Sequence, residues 1–283
     1  MVNLKLNLLG DVMKSTLPII IFAIVFLAGS CSEAERNVSA EILPDSYSNN
    51  AILRIIRDGK SQEVSVKSIV ADISISPFGR IETVSDLDLD GEPEVVLDIT
   101  TEGAYCCTVI VVMFYDKNAQ QYQSSNLLIK NWGVSPKLVD VDEDNKPEFV
   151  TRDYDYFWLP TATAAISPIQ IFRFDGGQIV DVTNEYPYFI EQDAQLWLAL
   201  LRNQKPELSE DYLELYSRQV EYLFTEDRLR EEAMKQQIVF PTYLADMQLL
   251  GRFDEGWAKA DEFCQDDDCK ESLSRIREAI LQK

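Results

Sequence analysis

The chain of 283 residues contains no histidine. This absence excludes Ser-His-Asp and Cys-His catalysis, zinc sites with histidine ligands and the usual imidazole pH switch. Basic residues are also scarce, since 26 Lys and Arg face 48 Asp and Glu and the net charge is −22. Nucleic-acid phosphates and anionic lipid surfaces attract Lys and Arg, so neither is an expected partner. Any chemistry must therefore depend on carboxylates, thiols, lysine or tyrosine.

The N-terminal region predicts a cellular compartment. Residues 17–27 form an apolar run behind Lys14 that is too short to span a bilayer but is typical of a secretory signal. The next residues, Ala-Gly-Ser-Cys ending at Cys31, resemble a bacterial lipobox, in which the cysteine is acylated and becomes the new N-terminus. We therefore expect residues 1–31 to form a lipoprotein signal with Cys31 as the lipidation site. The expected location is the extracytoplasmic cell envelope, at the outer membrane or the periplasmic face, with plain secretion or a retained signal anchor as alternatives.

Three stretches of different character follow the signal. Residues 32–50 are polar and aperiodic, which predicts a flexible tether. Residues 51–187 contain strand, turn, strand patterns whose turn aspartates are 58 and 59 residues apart, which predicts blade-like β-repeats. Residues 188–283 carry apolar stripes at helical spacing. The predicted fold class is α+β, with antiparallel β-repeats before an α-helical region. The three turn residues are Asp58, Asp116 and Asp175.

Two acidic segments in the β region, residues 86–94 and 140–148, share one pattern. They read DLDLDGEPE and DVDEDNKPE, and both match D-x-D-x-D-[GN]-x-P-E. Calcium prefers about six to eight oxygen ligands at about 2.3–2.6 Å, and carboxylates at the first, third and fifth positions of a tight turn can face one ion. The sixth position must bend sharply, which suits Gly91 and Asn145.

Each acidic segment therefore predicts one set of calcium ligands. The seventh position is expected to offer its backbone carbonyl, and the ninth position closes the shell with a glutamate carboxylate. The predicted ligands are Asp86, Asp88, Asp90, Glu92 and Glu94 in the first segment and Asp140, Asp142, Asp144, Lys146 and Glu148 in the second. An EF-hand is excluded because its twelfth position must be glutamate, whereas this chain has Leu97 and Thr151 there. Acidic surface turns without a metal are the alternative explanation.

The two segments resemble the FG-GAP/VCBS-type repeat, in which a D-x-D-x-D-G-x-x-[DE] loop joins strands of a propeller blade and holds calcium. The resemblance covers residues 51–187 and is specific in the loops. It implies structural Ca²⁺ and an extracellular, mostly non-enzymatic repeat domain, as in the propellers of integrin α-subunits. Two loops are fewer than a closed propeller of about four or more blades requires. We therefore expect an incomplete propeller-like array.

The cysteines other than Cys31 are even in number, which fits disulfide bonds in an oxidising compartment. A bond between Cys264 and Cys269 would staple two helices together. Bonds from Cys106 or Cys107 to the helical cysteines would instead link the two regions. A bond between Cys106 and Cys107 requires a distorted turn, because neighbouring side chains on a strand point to opposite faces.

Three functions follow from these features. The leading hypothesis is a non-catalytic envelope lipoprotein whose calcium-stabilised repeats bind or scaffold a protein or glycan partner, because matched acidic segments follow a lipobox. The alternatives are an envelope hydrolase that uses paired carboxylates and a helical protein-interaction module. Tyr154, Tyr156 and Trp158 share one face of a predicted strand, either as a stacking platform for a ligand or as packing residues. No residue is assigned a catalytic role.

Overall fold

A computed structural model describes residues 36–44, 51–70, 75–101, 107–129, 135–153, 167–202, 204–216 and 239–282. The chain divides into two compact units, Met1–Ala34 and Glu35–Lys283, and all described residues lie in the second unit. Among the described residues, no helix is both long enough and apolar enough to cross a membrane.

The described strands form three antiparallel sheets in which consecutive strands are neighbours. The first sheet contains β1 (Val38–Pro44), β2 (Ala51–Arg57) and β3 (Lys60–Ser65). The second sheet contains β4 (Ile75–Ser85), β5 (Glu94–Thr101), β6 (Thr108–Asp116) and β7 (Gln121–Ile129). The third sheet contains β8 (Lys137–Val139), β9 (Glu148–Arg152), β10 (Ile169–Asp175) and β11 (Gln178–Asp181).

The helices lie mostly after the sheets. A short helix, α1 (Val66–Ile69), follows the first sheet, and a 3₁₀ turn (Thr183–Glu185) follows the third. The helical layer then comprises α2 (Pro187–Leu201), a helical segment over residues 210–216, α3 (Val239–Leu249), α4 (Phe253–Phe263) and α5 (Asp267–Leu281). The predicted α+β class is confirmed at this level, and the three described sheets do not close into a ring.

The three predicted hairpins are present at corresponding places in the three sheets. They are β2–β3, β6–β7 and β10–β11, which turn just after Arg57, at Lys117 and at Gly176. In the first hairpin, Asp58 and Gly59 have φ values of 49° and 78°, the left-handed conformation that suits tight hairpin turns. Each hairpin therefore supplies the last two strands of its sheet.

The second sheet is buried on both faces. Side chains alternate between the two faces along each strand, so each face packs against a different neighbour. One face packs against the first sheet, where Leu53 and Ile55 meet Leu97. The opposite face packs against the third sheet, where Val112 meets Phe174. Burial on both faces explains the near-continuous apolar runs of β5 and β6.

The helical layer covers the outer face of the third sheet. Ile169 and Ile171 of β10 share one apolar cluster with Trp197 and Leu200 of α2. The order of layers is therefore first sheet, second sheet, third sheet and helices, and each interface has its own apolar core.

The predicted flexible tether over residues 32–50 is wrong for Val38–Pro44. These residues form β1, which pairs with β2 along its whole length. The physical reason is a short alternation in which Val38, Ala40 and Ile42 pack against the core shared by the first two sheets. The β region therefore begins before residue 51.

A buried ion pair ties the third sheet to the helical layer. The Arg152 guanidinium at the end of β9 donates to Asp193 of α2 at 2.7 and 2.8 Å, and the two side chains are 4% and 0% exposed. Asp193 also accepts hydrogen bonds from the Ile169 N–H, the Trp197 Nε1–H and the Tyr212 hydroxyl. Because burying an ion pair is costly unless its hydrogen bonds are satisfied, this saturation is what makes the pair tolerable.

Asp246 of α3 adds a second buried carboxyl to this cluster. It is 0% exposed, and neither of its oxygens accepts a hydrogen bond from any described residue. Burial, together with the negative charge of Asp193, raises the pKa of Asp246 well above its ordinary value of 3.8. Burial beside Asp193 thus favours the neutral, protonated form of the Asp246 carboxyl.

Substitutions in this cluster should therefore have unequal effects on the free energy of unfolding. Asp193→Asn leaves the Arg152 charge buried without its carboxylate and should cost about 3–5 kcal/mol. Asp246→Asn keeps both shape and neutrality and should stay within about 1 kcal/mol of the wild type near pH 3.8, where the unfolded wild type also begins to hold the proton. Urea unfolding of both variants measures these values.

The pH dependence distinguishes the two states of Asp246. A raised pKa means that the folded state holds a proton which the unfolded chain has lost, so the contribution of Asp246 to wild-type stability falls as the pH rises from 3.8 towards its folded-state pKa. Asp246→Asn has no such proton. Its free energy of unfolding should therefore rise relative to that of the wild type, by at most about 1.4 kcal/mol per pH unit. If Asp246→Asn instead loses stability relative to the wild type as the pH rises, Asp246 is ionised in the folded state.

Candidate functional site

The two acidic segments occupy equivalent places in the two four-stranded sheets. The first loop (residues 86–94) connects β4 to β5, and the second loop (residues 140–148) connects β8 to β9. Each loop thus joins the first two strands of its sheet and leads directly into a buried strand. The prediction that each loop ends in a buried strand rather than a second helix is confirmed.

The backbone of the first loop holds its carboxylates through five hydrogen bonds. Asp86 accepts from the Asp90 and Gly91 N–H groups at 3.1 and 2.8 Å. Asp88 accepts from the Asp90 N–H at 3.2 Å, and Asp90 accepts from the Glu92 N–H at 2.8 Å. Glu94 accepts from the Leu87 N–H at 2.8 Å.

The second loop repeats these five bonds position by position. Asp140 accepts from the N–H groups of Asp144 and Asn145 at 3.1 and 2.8 Å. Asp142 accepts from the Asp144 N–H at 3.3 Å, and Asp144 accepts from the Lys146 N–H at 2.7 Å. The Val141 N–H donates to Glu148 at 3.2 Å. The two loops therefore have the same conformation, although their residues differ at four of nine positions.

Positive φ angles occur at two matching positions of each loop. Gly91 and Asn145 have φ values of 84° and 71°, as predicted for the sixth position. Leu89 and Glu143 at the fourth position have φ values of 62° and 61°, which the sequence did not indicate because neither residue type favours that region. The second bend gathers the loop around its aspartates.

The carboxylates of each loop are close enough to share one ion. One oxygen each from Asp86, Asp88 and Asp90 lies within 4.8 Å of the other two. An ion with ligands at about 2.3–2.6 Å can contact oxygens up to about 5 Å apart, so the spacing fits a hard cation. The corresponding set in the second loop is Asp140, Asp142 and Glu148, which includes the terminal glutamate in place of Asp144.

Glu94 is a buried carboxyl beneath the first loop. It is 2% exposed, and its second oxygen, Oε1, accepts no hydrogen bond from a described residue. Burial, together with the charges of Asp88, Asp86 and Asp90, raises the pKa of Glu94 to about 8 although the Leu87 N–H lowers it. The protonated form of the Glu94 carboxyl is therefore favoured below about pH 8.

Glu148 is the equivalent carboxyl in the second loop, and it has more partners. The Tyr186 hydroxyl donates to its Oε1 at 2.8 Å, and Arg173 Nε lies 3.6 Å from the same oxygen. Burial raises the pKa of Glu148, whereas the Tyr186 and Val141 hydrogen bonds lower it. The second loop is thus tied to β10 and to the residue preceding α2.

Neighbouring elements contact the first loop from three sheets. Lys117 of the β6–β7 turn lies 2.9 Å from Asp90 Oδ2, and the Gly176 N–H of the β10–β11 turn donates to Asp88 at 3.3 Å. Glu92 is 4% exposed, and its carboxylate binds Arg57 of β2 at 2.8 Å. Only the backbone carbonyl of Glu92 is therefore available as the predicted ligand.

Other predicted site residues stand apart from the loops. Cys31, Cys106 and the aromatic residues Tyr154, Tyr156 and Trp158 lie outside the described residues. Cys264 and Cys269 form a disulfide between α4 and α5, with Cα atoms 5.3 Å apart. Cys107 also takes part in a disulfide. Because Cys264 and Cys269 bind each other, disulfides from Cys106 or Cys107 to these helical cysteines are excluded in this structure.

The sequence did not identify Lys117, Arg173, Tyr186 or Gly176 as neighbours of the acidic loops. Lys117 and Arg173 reach the loops through strand pairing within a sheet, and Gly176 reaches the first loop from a neighbouring sheet, so no local pattern marks them. Comparison with known protein families, with curated proteins and with solved structures finds no match for this chain.

The titration of Glu94 predicts a pH effect in the absence of metal. Its pKa rises on folding from 4.5 to about 8, so the folded state holds an extra proton between these values. The free energy of unfolding in EDTA should therefore fall as the pH rises through this window, by at most about 1.4 kcal/mol per pH unit from this group. Urea unfolding of the wild type and of Glu94→Gln measures the contribution.

Because other groups also titrate, the test is the difference in free energy of unfolding between the wild type and Glu94→Gln. Glu94→Gln should gain stability relative to the wild type as the pH rises from 4.5 to about 8. Glu262→Gln on α4 changes the net charge equally and serves as the control. Parallel pH curves for the wild type and Glu94→Gln would contradict this prediction.

Proposed function

We propose that the two loops bind calcium and that the chain is a non-catalytic, lipid-anchored envelope protein whose β-repeats serve binding or scaffolding. The observation that carries the calcium sites is the duplication of loop geometry. Five hydrogen bonds and two positive φ angles recur at matching positions of the first and second loops. Acidic surface turns without a shared ligand have no reason to repeat this arrangement.

Calcium is the cation that the donor atoms favour. All predicted ligands are oxygens, histidine is absent from the chain, and calcium accepts irregular sets of about six to eight oxygens. Magnesium demands a nearly octahedral shell and retains its waters, so a loop of crowded carboxylates suits it less well. Asp86, Asp88, Asp90 and Glu94 would hold the first ion, with the Glu92 carbonyl and water completing the shell. Asp140, Asp142 and Glu148, with the Lys146 carbonyl, would hold the second.

The sheets support the incomplete propeller-like array. Two four-stranded antiparallel meanders stack face to face and place an acidic loop between their first two strands, as the FG-GAP/VCBS-type resemblance implies. The first sheet stacks on them with three strands that correspond to the last three of a blade. The helical layer covers the face of the third sheet that a further blade would otherwise cover.

The envelope location and the choice between binding and scaffolding rest on the sequence. The lipobox ending at Cys31 supports a lipid anchor, and millimolar external calcium would fill even weak sites. A hydrolase gains no support from the described carboxylates. Asp193 and Asp246 form a pair away from the loops, but both are 0% exposed and out of reach of a substrate. No contact among the described helical residues favours the helical-interaction hypothesis.

Chelation tests the calcium sites. EDTA should lower the melting temperature of the purified protein, and calcium should restore it. At a hundredfold excess over Kd each site contributes about 2.7 kcal/mol, which corresponds to a shift of about 5–10 °C for a chain of this size. Asp88→Asn retains the acceptor for the Asp90 N–H but removes one charge, and it should reduce the restored shift. A melting curve that neither EDTA nor calcium moves would falsify the proposed sites.

Fractionation tests the lipid anchor. Cys31→Ser removes the thiol that would be acylated and should move the protein from the membrane fraction to the soluble fraction, because the proposed acyl chains would hold it at the bilayer. Mass spectrometry of the N-terminal peptide should detect the lipid on the wild type and on a Glu35→Gln control. An unmodified Cys31 in membrane-bound wild type would argue against the anchor.

A further inference from the structure

Lys117 places an ammonium group on the first loop. Its Nζ lies 2.9 Å from Asp90 Oδ2 and 3.5 Å from the Asp90 carbonyl oxygen. The turn that carries Lys117 is held by Asp116, which accepts hydrogen bonds from the Asn118 and Ala119 N–H groups at 2.8 and 3.1 Å. The backbone of this turn is thus fixed, while the Lys117 side chain reaches the loop.

The Lys117 ammonium offsets negative charge in the cluster of three aspartates of the first loop. Within the described parts of the chain, Lys117 alone forms an ion pair with the three clustered aspartates. The oxygen that it contacts belongs to Asp90, one of the carboxylates that would bind the ion. A divalent ion on that oxygen and an ammonium at 2.9 Å from it would repel each other. The two cations therefore compete for one carboxylate.

The ion pair between Lys117 and Asp90 is weak enough for a divalent ion to displace the ammonium. The Lys117 side chain is 56% exposed and that of Asp90 is 43% exposed, so the pair is solvated and contributes little to stability. Lysine has a flexible stem and a compact charge, and it can withdraw into water without loss of packing. Displacement thus requires no rearrangement of the core.

We propose that Lys117 is the resident cation of the first loop, and that a divalent ion binds there by displacing the Lys117 ammonium from Asp90. This inference rests on the proposed cation site and adds a specificity-determining residue to it. Lys117 weakens the site for every cation and makes its occupancy dependent on ionic strength. Ion binding at the first loop is thereby coupled to the β6–β7 turn.

Among the described residues, no lysine forms an ion pair with a carboxylate of the second loop. Its cationic neighbour, Arg173, is 19% exposed and also pairs with Glu185 at 2.5 Å. Arg173, at 3.6 Å from Glu148, is thus held on two sides, whereas Lys117 pairs with one acidic residue among those that the structure describes. The two loops share a backbone conformation but differ in how a neighbouring side chain controls them.

Calcium titration of the full chain tests the proposal. Lys117→Met keeps the apolar stem and removes the charge, and it should bind calcium about two- to fivefold more tightly at low salt, the range expected for an exposed ion pair. The gain should shrink at high salt because screening already weakens the competitor. Lys117→Arg keeps the charge and should bind no more tightly than the wild type. Lys259→Met, which breaks an exposed pair with Glu262 on α4, controls for net charge.

A second measurement reports on the ammonium itself. Reductive methylation with ¹³C labels each lysine, and the Lys117 signal, assigned by its absence in Lys117→Arg, should move during calcium titration as the ion pair breaks. If the wild type takes up no calcium, both the cation site and this inference are overturned. If the wild type binds calcium but Lys117→Met gains no affinity and the Lys117 signal stays fixed, the site stands and the inference fails.

Discussion

Repulsion among crowded carboxylates is the constraint on which the loops, and the sheets around them, depend. Three aspartate oxygens within 4.8 Å of one another are stable only if something else compensates their charge. The backbone N–H groups of each loop supply part of that compensation through hydrogen bonds of 2.8 and 3.1 Å to the leading aspartate. Those N–H groups point inward only because the loop bends twice through positive φ angles. The loop can hold that shape because it is anchored between two paired strands.

The layers complete the compensation. A loop at the end of a sheet that is buried on both faces lies close to the turns of the neighbouring sheets. Arg57 from the first sheet therefore neutralises Glu92, and Gly176 from the third sheet donates to Asp88. The same geometry brings Tyr186 to Glu148. Stacking and loop charge are thus linked, since the interfaces that bury apolar side chains also deliver the donors that the loops need.

Local features could be predicted from the sequence, and contacts between layers could not. The hairpins at Asp58, Asp116 and Asp175 follow from turn residues between alternating strands, and the loops follow from carboxylate spacing. β1 escaped prediction because its alternation is short and its neighbours are polar. The left-handed Leu89 carries no signal in its residue type. Lys117 lies 27 residues from Asp90, and only the pairing of β5, β6 and β7 brings it to the loop.

The placement of buried charge argues for a rigid frame rather than for acid–base chemistry. A catalytic carboxylate pair must reach a substrate, yet Asp193 of α2 and Asp246 of α3 are both fully buried. Asp193 is also held in an ion pair with Arg152. The loop carboxylates reach solvent, but their oxygens are already committed to backbone donors, which suits fixed ligands better than proton transfer. Charge in the described residues thus holds strands and layers together. The proposed binding surface is then expected away from the loops.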